Sequence, residues 1–155
     1  LEIINSLCMD NKFQPIVGVA IIIENKTGKF LLHLRDENAP RMKNQWCLLG
    51  GCIESGFAET PEQAAAREIA EETGIVVKPE NLRFFKKIIL QDGVRQSHIY
   101  HIRLDLDDKD IKVGEGKEFR FFPKAGLPAM LGKLGYTNSF LEVLAEFMRN
   151  GTRKI

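Results

Sequence analysis

Three carboxylates crowd into the stretch AAAREIAEETGI, residues 64–75: Glu68, Glu71 and Glu72, just ahead of Gly74. In a helix, residues three and four apart are neighbours, so Glu68 would face both Glu71 and Glu72. The flanking residues predict that helix. Thr60-Pro61-Glu62-Gln63 supplies an N-cap, a first-turn proline and a capping-box partner, and Gly74 supplies a C-terminal stop. Glu71 and Glu72 then fall in the last turn, where the carbonyl end of the dipole disfavours anions by about 0.3–1 kcal/mol each. Repulsion between Glu68 and Glu72 adds about 0.2–0.5 kcal/mol. Arg67, four residues before Glu71, is the local counter-charge. Such a face is either solvated acidic surface or a seat for an external cation. The other side carries Ala66, Ile69, Ala70 and Thr73, small enough to pack on a sheet and so fix where the carboxylates point. If a cation is the answer, hard oxygen ligands select Mg²⁺, Mn²⁺ or Ca²⁺ over zinc.

The elements that must position this helix follow from periodicity. PIVGVAIIIE (15–24) is a β-branched, apolar run that predicts a buried strand. NKTGK turns the chain into FLLHLR, completing a hairpin. A polar loop, 36–45, leads to WCLL, a short strand running into Gly50-Gly51. After the acidic helix, LRFFKKIIL and SHIYHIRLDL predict two strands joined through QDG, and EFRFF predicts a last strand after the charged loop DDKDIKVGEGK. The chain closes on an amphipathic helix, NSFLEVLAEFMRN, with Phe140, Leu141, Leu144 and Phe147 as its seam. Strands with helices interspersed imply an α/β (α+β) sandwich.

With 155 residues and 44% hydrophobic side chains, residues 1–155 predict one domain with a sizeable core. Twenty-two basic residues against 21 acidic ones leave a net charge of +1, which argues against polymeric nucleic acid or an anionic membrane as partner. The longest apolar run, Ile16 to Ile23, is too short to span a bilayer, and the opening LEIINSLCMD lacks signal-peptide character. Cys8, Cys47 and Cys52 are odd in number, and no histidine sits near them at zinc-ligand spacing. A reducing, cytoplasmic setting is expected.

The residues GGCIESGFAETPEQAAAREIAEETGI (50–75) resemble the signature of the Nudix (MutT-like) hydrolases, whose core is a glutamate, seven residues, then R-E-hydrophobic-x-E-E-x-G-hydrophobic. Glu59, Arg67-Glu68-Ile69, Ala70, Glu71-Glu72, Thr73, Gly74 and Ile75 match without a gap. The apolar first strand, LLHLRD, QWCLLGG and GEGKEFRFFP extend the likeness over most of the chain. Two departures stand out. Seven residues rather than five separate Gly51 from Glu59, a two-residue insertion expected to bulge at Ser55-Gly56-Phe57-Ala58, and Leu49 replaces the proline common before the double glycine.

The resemblance implies a Nudix-type α/β/α sandwich around a mixed central sheet, with the box at about 50–75. It implies Mg²⁺, with Mn²⁺ able to substitute, held by Glu68, Glu71, Glu72 and the main-chain carbonyl of Gly50, and oriented by Arg67 and Glu59. Glu115 is the expected acidic residue from outside the box, with Glu118 second, and Glu68 or Glu71 the expected general base. The implied reaction is cleavage of the pyrophosphate linkage in a small nucleoside diphosphate derivative, such as an oxidised nucleoside triphosphate or a nucleotide sugar. The alternative is a non-catalytic domain that binds such a nucleotide as a sensor. Dimers are common in the family. Arg35 and Arg41, flanking the loop before the box, are placed to meet phosphate oxygens. His33, His98 and His101 are expected to be ordinary strand histidines, and Trp46 a packing residue.

Overall fold

The computed structural model describes residues 17–54 and 58–150. Its centre is β1 (Val17–Asn25), buried along most of its length. Val19, Ile21 and Ile23 enter one core, and Ala20 and Ile22 enter the other. A strand covered on both faces reads as a continuous apolar run, which is why VAIII does not alternate with polar residues. One edge of β1 pairs in parallel with β6 (Gln96–Leu104), from Val17 opposite Gln96 to Asn25 opposite Leu104. Beyond it lies β5 (Arg83–Ile89), antiparallel, with a register irregularity between Phe84 and Lys86.

The other edge of β1 is shared. β2 (Lys29–Leu34) meets it where Phe30 lies opposite Glu24, and β4 (Leu49–Cys52) pairs with Gly18 to Ile21. β2 also carries β3 (Trp46–Cys47) and, on its far side, β7 (Glu118–Pro123). The result is a mixed seven-stranded sheet. The single strand expected over WCLL is two strands, because its halves take different partners: Trp46 and Cys47 join β2, while Leu49 onward joins β1.

Helix α1 (Pro61–Thr73) covers one face of the sheet, opened by the predicted Thr60/Gln63 capping box and closed by Gly74 in the left-handed conformation. Ala64, Ala65 and Ile69 pack on Val19, Ile21, Leu31, Leu49 and Tyr100. The buried stripe is therefore rotated from the one expected. Ala66 and Ala70 are only half-buried, whereas Glu68 and Glu72 face inward with Ile69 and Thr73. The opposite face is covered by α2 (Leu127–Lys133) and α3 (Ser139–Asn150), whose Leu127, Leu141, Val143 and Leu144 pack on Ala20, Ile22, Phe30, Leu32 and Ile99. These layers make the expected α/β/α sandwich. Helix α2 was not expected, since seven residues are too few to establish a helical period. Among the described residues no helix is long and apolar enough to cross a membrane. Cys8, Pro15 and the core of the expected bulge, residues 55–57, lie outside the described residues.

Candidate active site

The three glutamates of α1 do not share one solvated face. Glu71 is exposed, while Glu68 and Glu72 are 9% and 4% exposed and lie against β4. One glycine makes this approach possible and its neighbour lets β4 close on β1. A Cβ on Gly51 would lie 2.2 Å from Glu68 Oε1, and one on Gly50 would lie 2.1 Å from the carbonyl oxygen of Val19. The Gly50 N–H donates to Glu72 Oε1 at 3.3 Å. It is thus the amide of Gly50 that meets the box carboxylates directly.

Arg67 organises the outer side of the ridge. Its Nε and Nη2 donate to the two carboxylate oxygens of Glu59 at 2.7 and 3.1 Å. Nη1 reaches Glu68 Oε1 at 2.8 Å and Glu71 Oε2 at 3.2 Å, and Nη2 also reaches the carbonyl of Cys52 at 2.9 Å. The planar fork of a guanidinium can serve this many acceptors at once, which an ammonium cannot. The hydrogen bond from Arg67 holds the Glu59 carboxyl below its ordinary value. Glu59 also accepts from the Glu54 amide at 2.9 Å, tying the end of β4 to the start of the helix.

Glu68 and Glu72 behave oppositely. Burial, then the charge of Glu72, pushes the Glu68 carboxyl up to about 8. Burial, then the charge of Glu115, pushes Glu72 up to about 8 as well. Two neighbouring carboxylates taken out of water resist ionising together. Glu72 Oε2 is buried with no hydrogen-bond partner, although His33 Nδ1 stands 3.3 Å away without hydrogen-bond alignment. An orphaned buried carboxylate oxygen beside a second buried carboxylate is a hard, anionic donor set, and a divalent cation satisfies it. The residues fit such an ion, although among the described residues no three acidic, histidine or cysteine side chains already converge on one point. Glu68 is turned to Arg67 instead.

The expected site residue farthest away in sequence, Glu115, arrives on the loop between β6 and β7. Lys112 and Gly114 donate their amides to the carbonyls of Thr73 and Glu72, at 3.1 and 2.9 Å, so this loop caps the C-terminal end of α1. Glu115 is thereby brought within electrostatic reach of Glu72. Glu118 lies instead on β7, paired with Arg120.

On the other side of β4 opens a cleft of about 330 Å³, with Gly50, Gly51 and Cys52 as part of its wall. Arg35, Arg41 and Arg95 line it. Arg35 Nε donates to the Arg41 carbonyl at 2.9 Å, so the two arginines expected at phosphate are held together. Arg95 was not anticipated. It pairs with Asp92 in the β5–β6 turn, far from the box in sequence. His33, expected as a solvated or satisfied strand histidine, is the satisfied kind, buried on β2 between Glu72 and the loop of Glu115. Trp46 packs edge-on against Phe122, as expected of a packing residue.

The profile of the NUDIX domain matches residues 14–139. An ADP-ribose pyrophosphatase of Methanocaldococcus jannaschii is 35% identical over 138 residues, covering 87% of this chain and 74% of that protein. An 8-oxo-dGTP diphosphatase of Escherichia coli is 40% identical over 77 residues, about half of either chain at 50% and 54%. The crystal structure of a MutT protein from Methanosarcina mazei Go1 superposes with a TM-score of 0.67 at 25% identity, covering 92% of this chain and 99% of that one. Motif, fold and relatives agree, and the chain belongs to the NUDIX domain family, a hydrolase acting on phosphorus-containing anhydrides.

Proposed function

We propose that the chain is a Mg²⁺-dependent hydrolase, with Mn²⁺ able to substitute, that cleaves the pyrophosphate linkage of a small nucleoside diphosphate derivative. The observation that carries this reading is the wall shared by two features: Gly50 and Gly51 border both the buried carboxylates of α1 and the arginine-lined cleft. A cleft of about 330 Å³ suits one nucleotide-sized ligand. The relatives named for ADP-ribose and 8-oxo-dGTP support a phosphoanhydride substrate, since both molecules contain that bond.

In this mechanism Arg35 and Arg41 grip phosphate oxygens through charge-assisted hydrogen bonds and align the linkage against β4. Glu68, Glu71 and Glu72, with the main-chain carbonyl of Gly50 and with Glu115, would hold the divalent ion. When bound, that ion neutralises phosphate charge and lowers the pKa of water. Glu68 or Glu71 takes the proton of the attacking water, and Arg67 keeps Glu68 in register while it does so. The test is product release from ADP-ribose, nucleotide sugars, nucleoside triphosphates and dinucleoside polyphosphates, with Mg²⁺ and with chelator. Metal-dependent turnover of one class is expected. Silence across the panel, with a nucleotide still raising the melting temperature, would replace the enzyme with a nucleotide-binding sensor.

A further inference from the structure

His33 is a buried polar side chain, 2% exposed on β2, to which the reaction above gives no task. Its Nε2 lies 3.0 Å from the carbonyl oxygen of Glu115, and its Nδ1 lies 3.3 Å from Glu72 Oε2. The ring therefore bridges two carboxylate-bearing segments that are far apart in the chain. We propose that His33 is a positioning residue that sets the Glu115 loop and the Glu72 carboxylate relative to one another, an inference that rests on the metal-dependent hydrolysis proposed above.

The chemistry of the contacts assigns the ring's roles. A carbonyl oxygen only accepts, so Nε2 must carry the hydrogen it donates to Glu115. In the neutral ring Nδ1 then presents a lone pair to Glu72 Oε2. That accounts for a close contact without a hydrogen bond. His33 thus acts on Glu72 as a wall. It stands beside Oε2 while Oε1 accepts from Gly50, and so limits where the carboxyl can turn.

The ring is itself fixed from both sides. Phe119 stacks on it with centroids 4.4 Å apart and planes 6° from parallel. Gly116, at φ 82°, passes so close that a Cβ there would lie 1.9 Å from Nε2. Gly114 crosses α1 equally tightly, since its Cβ would lie 2.2 Å from the Glu71 carbonyl oxygen. Lys117 donates its amide to Leu34 at 2.9 Å, anchoring the loop to the strand that carries His33. Only glycine tolerates both close approaches, and Gly116 also needs the left-handed conformation. The loop, the histidine and the end of α1 consequently have one relative placement.

His33→Phe removes both ring nitrogens while keeping the stack on Phe119, and His33→Gln keeps a donor for the Glu115 carbonyl. Three quantities are measured: melting temperature, kcat and KM on the best substrate of the panel, and Mn²⁺ affinity of the substrate-free protein by calorimetry. For His33→Phe, kcat falls and the Mn²⁺ Kd rises, each by about 10–100-fold, the usual cost of an outer-shell contact. KM stays within about twofold because the cleft is untouched. His33→Gln recovers part of both losses. Gly116→Ala, which displaces the loop but leaves His33 in the chain, reproduces the losses if His33→Phe fails to fold. A folded His33→Phe protein with parental kcat and Mn²⁺ affinity overturns the inference, as does a Gly116→Ala protein with both intact. A parent that turns over nothing would sink the hydrolase reading instead, and the Mn²⁺ affinities would still decide the role of His33.

Discussion

Arg67 is where stability and chemistry meet, and its removal gives a quantitative test. The guanidinium makes four hydrogen bonds to three carboxylates and a fifth to the Cys52 carbonyl. The contact with exposed Glu71 is worth only about 0.3–0.5 kcal/mol. The contacts that matter are with Glu59 and Glu68, whose side chains are 10% and 11% exposed. Charged hydrogen bonds of this kind contribute about 1.5–3 kcal/mol each. Water entering the space left by a truncated side chain recovers part of the loss. Arg67→Ala should therefore destabilise the metal-free protein by about 2–4 kcal/mol, a drop in Tm of roughly 4–16 °C for a domain of this size. Arg67→Lys keeps the charge but not the fork, and should lose about half as much. Thermal melts at pH 7.5 in chelator check both values. If Arg67→Ala melts within about 2 °C of the parent, less than 1 kcal/mol, the hub is ornamental and the reasoning fails.

Glu72→Gln keeps the acceptor for the Gly50 amide while removing a buried charge, so the metal-free variant should melt at or above the parent temperature at pH 8. Its turnover should fall by about 100-fold or more, and near-normal turnover would remove Glu72 from the metal site. Gly51→Ala puts a Cβ against the carboxylate of Glu68 rather than against backbone. Calorimetry should therefore show weakened Mn²⁺ binding, with a Tm loss no larger than that of Arg67→Ala because only the Glu68 contact is displaced, and intact binding would separate Glu68 from the site. The Glu68 and Glu72 carboxyls, raised to about 8 from an ordinary 4.5, contribute stability that is complete below pH 4.5 and is lost as pH climbs through 8. His33, lowered by burial from 6.5 to about 4, contributes stability present above pH 6.5 and lost as pH falls toward 4. Melting of the metal-free protein should thus decline from about pH 5 toward pH 8, because two carboxyls lose stability across that range and one histidine gains it only up to pH 6.5, with Mg²⁺ opposing the decline. A Tm that rises from pH 7 to 8.5 in chelator contradicts the buried-carboxylate account.

Much of this molecule was determined locally. The capping box, the left-handed Gly74 and the spacing of Glu68, Glu71 and Glu72 fixed α1 to the residue, because helix signals act within one or two turns. The apolar run of β1 announced a strand covered on both faces for the same reason. What the sequence could not carry was direction. Whether Glu68 and Glu72 face water or β4 depends on how α1 is rotated on the sheet. That rotation is set by Ala64, Ala65 and Ile69 meeting Val19 and Leu49 from other strands. The division of WCLL between β1 and β2 is likewise a matter of partners, and so is α2, too short to declare itself. His33 and Glu115 stand 82 positions apart, and Arg95 lies in a turn far from the box. No spacing rule connects them, because only closure of the sheet brings their segments together. The sequence by itself marked the groups proposed to hold a cation. The tertiary structure decided which of them are desolvated, and hence which carboxyls are raised in pKa and which oxygen is left without a hydrogen-bond partner.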